Sequence, residues 1–222
     1  MARYPSFYGG GQLMTFMEVY SLCVNSYSNL QYGQELTGTG TKWTVQRVVE
    51  NRGFMAYKIK KENGWTAMVF RGTDDPRDWV YNNIANALGS TRPPQYVSGD
   101  DLVSHWGAGC VLVGHSLGGG IATFASAFSG LPAVTIFPAP VIPSSLPSGG
   151  SRADVVNYVC HGEVLTELTM TDRSGNVWRD IASDALDNAL SGAVHRRLGV
   201  DFWVGSTGSS PIDKHMLGNI VL

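Results

Sequence analysis

Apolar residues fall at helical spacing over residues 12–26, where Leu13, Phe16, Met17, Tyr20 and Val24 predict a single helix. A turn rich in Gly and Thr at 36–41 ends it. The pattern then changes to three strand-like stretches at 43–50, 53–60 and 65–70. Asn51-Arg52-Gly53 and Glu62-Asn63-Gly64 lie between them, so they predict strands joined by tight hairpins. An amphipathic stretch over 77–88 follows, with Asp75 placed to cap a helix and Pro76 at its first position. Residues 89–109 are broken by Gly, Ser and Pro, and they predict only a short helix at 97–106, with Pro93-Pro94 and Gly99 as interruptions.

From Cys110 onward strand and helix patterns alternate. An apolar run at 110–113 leads into a small-residue helix, and a strand at 133–137 leads into a Pro-rich loop at 138–147. A strand at 155–160, a helix near 179–193 and a last strand at 200–204 follow, before a loop reaches Asp213-Lys214-His215. This order predicts an α/β protein, with parallel strands and helices on both faces of one sheet. With no internal repeat and no long linker, residues 1–222 read as one domain.

Composition narrows the class. Hydrophobic residues make up 43% and charged residues 15% of the chain, which suits a folded domain. The net charge is −2 and Lys and Arg form no stripe, so nucleic acid is not an expected partner. No run of about 18 apolar residues is present to cross a membrane. The N-terminal residues lack the apolar core of a secretory signal, so a cytoplasmic location is the expectation, with secretion by another route left open. Cys23, Cys110 and Cys160 cannot form a fully paired framework and read as buried thiols.

The candidate chemistry centres on Gly114-His115-Ser116-Leu117-Gly118, a G-x-S-x-G pattern. In a chain with 27 glycines the bare pattern is weak, and its setting carries the claim. Four apolar residues lead straight in and a small-residue helix leads straight out, the strand-turn-helix context that a nucleophile elbow needs. That context predicts the α/β-hydrolase fold, with Ser116 as nucleophile and the backbone N–H of Leu117 as one oxyanion donor. Gly114 and Gly118 flank a bend where side chains would collide. GHSLGG, preceded upstream by VFRGT and DW, resembles the class 3 lipases, a family that includes fungal triacylglycerol lipases and bacterial relatives. The resemblance covers nearly the whole chain from Tyr20. It implies hydrolysis of carboxylic esters, with a second oxyanion donor at Thr73.

The general base must come late in the chain, because the order in this superfamily is Ser, acid, His. His215 follows the last expected strand, and its H-x-x-x-N context resembles that of the family's late histidine; His195 is the alternative. His115 adjoins the serine and is not expected to turn back to its Oγ. The acid should follow a strand between Ser116 and His215. The resemblance points to Glu163, where the family usually carries Asp after Gly; Glu167 and Asp172 are the reserves. The resemblance places the segment over 76–88 where fungal relatives carry a lid helix, so Trp79, Val80 and Ile84 are candidate substrate contacts that would line or cover the acyl pocket; a simple amphipathic surface helix is the alternative. Asp74, Asp75 and Asp78 lack the spacing of a calcium loop, and no zinc signature exists, so neither metal nor organic cofactor is expected. The expected partner is a small-molecule or lipid ester. Two other readings stay open: a non-catalytic binding protein on the same fold, and a hydrolase of thioesters or amides using the same residues.

Overall fold

The computed structural model describes residues 7–9, 12–36, 40–62, 64–73, 93–147, 153–169 and 197–221. The stretch over 77–88, the helix expected near 179–193, and the candidates Trp79, Val80, Ile84, Asp172 and His195 lie outside the described residues.

Among the described residues eight strands form one mixed sheet, in which each strand pairs with its neighbours in sequence. The antiparallel half comprises β3 (Glu35–Leu36), β4 (Trp43–Asn51), β5 (Phe54–Lys61) and β6 (Thr66–Phe70). Between β4 and β5 the chain reverses through Arg52 and Gly53, both at positive φ (46° and 83°). Such a two-residue turn follows the right-handed twist of the strands it joins. From β6 the pairing turns parallel, through β7 (Cys110–His115), β8 (Pro132–Ile136), β9 (Asp154–Val159) and β10 (Val200–Trp203). A separate hairpin pairs β1 (Phe7–Gly9) with β2 (Gln12–Met14).

Alternation along the strands divides the core into two layers. Ala67, Val69, Val111, Val113, Val134 and Ile136 face one cluster, which includes Phe16, Val19 and Leu22 of helix α1 (Phe16–Ser26). Met68, Phe70, Leu112 and Ala133 face the other, built against α2 (Pro94–Trp106) and α3 (Leu117–Ser129). The strand period of two is what makes a buried sheet apolar on both faces. Two short helices, α4 (Val164–Thr169) and α5 (Pro211–His215), follow β9 and β10 respectively.

Three sequence expectations change here. The first helix begins at Phe16 and not at residue 12, because Thr15 and Glu18 form a capping box. The Glu18 N–H donates to Thr15 Oγ1 at 3.2 Å, and the Thr15 N–H donates to the Glu18 carboxylate at 3.0 Å, so the start is held from both sides. The helix also buries a different stripe from the one read in the sequence. Phe16, Val19, Leu22 and Cys23 pack on the sheet, whereas Met17 and Val24 are 44% and 40% exposed. The helix before β7 is longer than expected, because Pro94 occupies its first turn, where a missing N–H costs nothing. Gly99 does not interrupt that helix. A Cβ there would collide with Ile121 of α3, so its bare backbone lets α2 and α3 pack closely.

Candidate functional site

The bend between β7 and α3 is built to point one side chain outward. Ser116 has φ 58° and ψ −128°, a conformation L-residues rarely adopt. Such strain costs about 1–3 kcal/mol and persists only when the surroundings over-determine it. Three backbone hydrogen bonds do so here. The Ser116 N–H donates to Ile136 O at 3.1 Å, and the Ser116 carbonyl accepts from Gly120 and Ala139 at 3.1 and 2.9 Å. The flanking glycines are steric necessities. A Cβ on Gly114 would run into the Gly118 carbonyl, and one on Gly118 would run into the carbonyl oxygen of Phe70.

Ser116 Oγ lies 2.8 Å from His215 Nε2, and His215 Nδ1 lies 2.7 Å from Glu163 Oε1. All three residues are buried, Glu163 completely. A carboxylate only accepts, so Nδ1 carries the hydrogen and Nε2 turns a lone pair toward the serine hydroxyl. Structure thus brings together residues that stand 47 and 52 positions apart along the chain. His215 ends α5, whose first turn Ser210 caps by accepting from the Asp213 N–H at 3.1 Å.

Glu163 precedes α4, and its longer side chain curls back onto that helix. Oε1 accepts from Leu165 N–H at 2.9 Å, and Oε2 accepts from Thr166 N–H at 2.7 Å and from Thr166 Oγ1–H at 2.6 Å. The acid therefore caps the helix that follows it while keeping Oε1 directed at His215. The reserve acid Glu167 is held elsewhere, accepting from the Gly162 N–H at 2.6 Å.

Leu117 is the first residue of α3, so its N–H has no acceptor within the helix. The helix N-terminus adds partial positive charge beside Ser116. Thr73, beyond the end of β6, lines the same cleft as Ser116 and His215. That cleft measures about 320 Å³, and its walls are mostly apolar: Tyr20 and Val24 from α1, Tyr27 at the C-cap of α1, and Met216 and Leu217 near the C-terminus. A more open groove of about 390 Å³ beside Phe54 and Trp106 shares none of these residues.

Two further described histidines are engaged elsewhere. His105 bonds to the carbonyl of Asp101 at 2.7 Å, and His161 stacks on Trp203 with ring centroids 3.7 Å apart. Cys23, Cys110 and Cys160 are buried and free. Among the described residues no group of His, Cys, Asp and Glu is arranged to hold a metal ion, and no helix is long and apolar enough to cross a membrane.

Two residues at the site carried no role in the sequence reading. Tyr27 lines the cleft and bonds through its hydroxyl to His115 Nδ1 at 2.8 Å, and His115 Nε2 reaches the His215 carbonyl at 3.0 Å. The available signal was the spacing of Tyr20, Val24 and Tyr27, a second apolar stripe on α1.

No curated protein matches the chain. A family model does, the Tle-like phospholipase domain of the phospholipase-like proteins, over residues 23–199. The family found is thus a lipase and phospholipase family, without the narrower assignment to class 3 lipases that GHSLGG and VFRGT suggest. Since the match spans well over half of its length, the chain belongs to the Tle-like phospholipase domain family, whose name points to lipid ester hydrolysis.

Proposed function

We propose that the protein is a serine hydrolase of the α/β-hydrolase fold that cleaves carboxylic esters of lipids through an acyl-enzyme. The observation that carries this reading is the hydrogen-bonded line from Ser116 through His215 to Glu163, with Ser116 and His215 lining an apolar cleft. Membership of a phospholipase-like family and the VFRGT and GHSLGG motifs, which keep the likeness to class 3 lipases within the proposal, support it.

In the first half-reaction Ser116 Oγ attacks the ester carbonyl carbon while its proton passes to His215 Nε2. The carbonyl oxygen becomes an oxyanion, which meets the Leu117 N–H and Thr73. Glu163 stabilises the imidazolium that results. His215 then returns the proton to the departing alkoxide, leaving Ser116 acylated. Water enters, gives a proton to His215 and attacks the acyl carbon; collapse breaks the bond to Ser116 Oγ, which takes that proton back from His215, and the carboxylic acid leaves.

The cleft wall supplies the acyl site. Tyr20 lies two helical turns from Tyr27, about 10 Å at the rise of an α-helix. A wall of that length takes an acyl chain of medium length.

A fluorophosphonate probe should label the protein once, at Ser116, and phospholipid vesicles should release free fatty acid on incubation. Absence of both would end the reading. Val24→Trp fills the cleft from its exposed rim without disturbing the core. Relative to the acetyl ester, kcat/KM for a decanoyl ester should fall by roughly ten- to a hundredfold, the usual worth of one or two lost methylene-sized contacts. A chain-length profile identical to that of the wild type would move the acyl site elsewhere.

A further inference from the structure

The residue before Ser116 takes no part in these steps, yet both of its ring nitrogens are engaged. His115 is buried. The His215 carbonyl can only accept, so the hydrogen of the His115 ring sits on Nε2 and donates to it across 3.0 Å. Nδ1 is left with a lone pair, which accepts from the Tyr27 O–H across 2.8 Å. The rings of His115 and His215 stack, with centroids 4.8 Å apart and planes inclined by 30°. Phe137 packs against both.

We infer that Tyr27 and His115 are a positioning pair for the catalytic base, an assignment that rests on the ester-hydrolase reading above. His115 holds the main chain of residue 215 while Ser116 Oγ meets its side chain. Two consecutive residues thus grip one histidine at two points, and any movement of the elbow carries the base with it. The same pair braces the other side of the site. A Cβ on Gly72 would strike the Tyr27 hydroxyl and come within 2.8 Å of the His115 carbonyl, so the loop bearing Thr73 leans on them too.

The surroundings of His115 also keep the second imidazole neutral. The titratable groups facing His115 are Tyr27 at the C-cap of α1 and His215 at the end of α5, with Glu163 beyond His215. Burial, and then the neighbouring His215, hold His115 well below the ordinary histidine value of 6.5. Neutrality matters because His215 turns cationic as it takes the serine proton. A second cation stacked on it would oppose that charge. The folded state refuses a proton that the unfolded chain accepts below pH 6.5, so this contribution to stability is present above that pH and lost as pH falls.

The experiment compares wild type with His115→Phe, His115→Gln and Tyr27→Phe, reading kcat, KM, the pH profile of kcat and the melting temperature. His115→Phe keeps a planar ring but cannot grip the carbonyl, and kcat should fall by about 10- to 100-fold with KM changed by no more than about twofold, the pattern of a misplaced reacting group. His115→Gln offers one amide donor for the carbonyl and one acceptor for Tyr27, and should recover most of that loss. Tyr27→Phe removes the donor that favours the neutral ring, so the acid limb of kcat should move to higher pH, whereas a merely structural change lowers kcat equally at every pH. A kcat within about twofold of wild type in His115→Phe, or equal losses in the Phe and Gln variants, overturns the inference. Should His115→Phe fail to fold, the Tyr27→Phe profile decides: a shifted acid limb supports the pair and a superimposable one overturns it. Fluorophosphonate labelling separates the two levels. Unchanged variants in an enzyme labelled at Ser116 sink this inference alone, and an unlabelled wild type sinks the reading beneath it.

Discussion

Ser116→Ala should lower kcat on p-nitrophenyl esters by about 10⁵–10⁶-fold, the usual cost of removing a nucleophile whose partners act only through it. The proposed oxyanion donors, the Leu117 N–H and Thr73, remain in such a variant, so a residual rate above that of water alone is expected. The fold should survive, since the backbone of residue 116 is held by its hydrogen bonds to Ile136, Gly120 and Ala139 and not by its hydroxyl. Only the bond to His215 Nε2 is lost, worth about 1 kcal/mol in a typical case. Steady-state kinetics and a thermal melt check both halves. Undiminished turnover in a folded Ser116→Ala protein would remove the serine from the chemistry altogether.

Glu163→Gln should be the next most damaging change, for reasons that can be read atom by atom. The carboxylate accepts from Leu165 N–H, Thr166 N–H, Thr166 Oγ1–H and His215 Nδ1–H, and every one of these partners donates. A glutamine amide presents one oxygen and one NH₂ group to the same four donors. If the NH₂ faces His215, the imidazole must carry its hydrogen on Nε2, where it can no longer accept the serine proton. If it faces Thr166, donors oppose donors in a fully buried site. The first outcome costs about 10³–10⁴-fold in kcat, as for other triads with the wrong tautomer. The second costs about 1–3 kcal/mol of stability through unpaired buried groups. We expect kcat to fall at saturating substrate while KM changes little, and the melting temperature to drop measurably. Wild-type kinetics in this variant would transfer the orienting role to another acid, with Glu167 the nearest in sequence.

Much of the architecture was legible because local chemistry and tertiary environment agree. The turn Asn51-Arg52-Gly53 joins two strands as its residues suggest, and the apolar run before Gly114 is a buried strand. Disagreements have definite causes. Thr15 and Glu18 set the start of α1 by a hydrogen-bonded box that outweighs the apolar periodicity running ahead of it. Pro94 looked like an interruption and is an opening, because a helix needs no N–H in its first turn. The apolar stripe of α1 was ambiguous for a deeper reason. Both of its faces are apolar, one against the sheet and one against the cleft, and periodicity alone cannot say which of them meets the core.

At the site, Ser116 and its glycines were identifiable because the bend is local and its steric demands fall on residues within two positions of the serine. Glu163 was recognisable by its place after β9, but its fitness for the role was not. A glutamate reaches His215 here because its extra methylene lets the carboxylate fold back onto the N–H groups of α4. The contacts of His115 were invisible from the chain. Its two hydrogen bonds go to residues 88 and 100 positions away, and no local pattern encodes such a meeting.

What the chain alone determined is therefore the set of short-range instructions: where strands and helices run, where the sharp bend falls, and which residue types could carry acyl transfer. Tertiary structure decided which of those residues meet. Hydrogen bonds of 2.7 and 2.8 Å join Glu163, His215 and Ser116, and α1 is laid along the cleft as its apolar wall. The physical reason is range. Dihedral preference, capping and periodicity act over a few residues, whereas the 2.8 Å between Ser116 Oγ and His215 Nε2 exists only because packing of the whole sheet sets it.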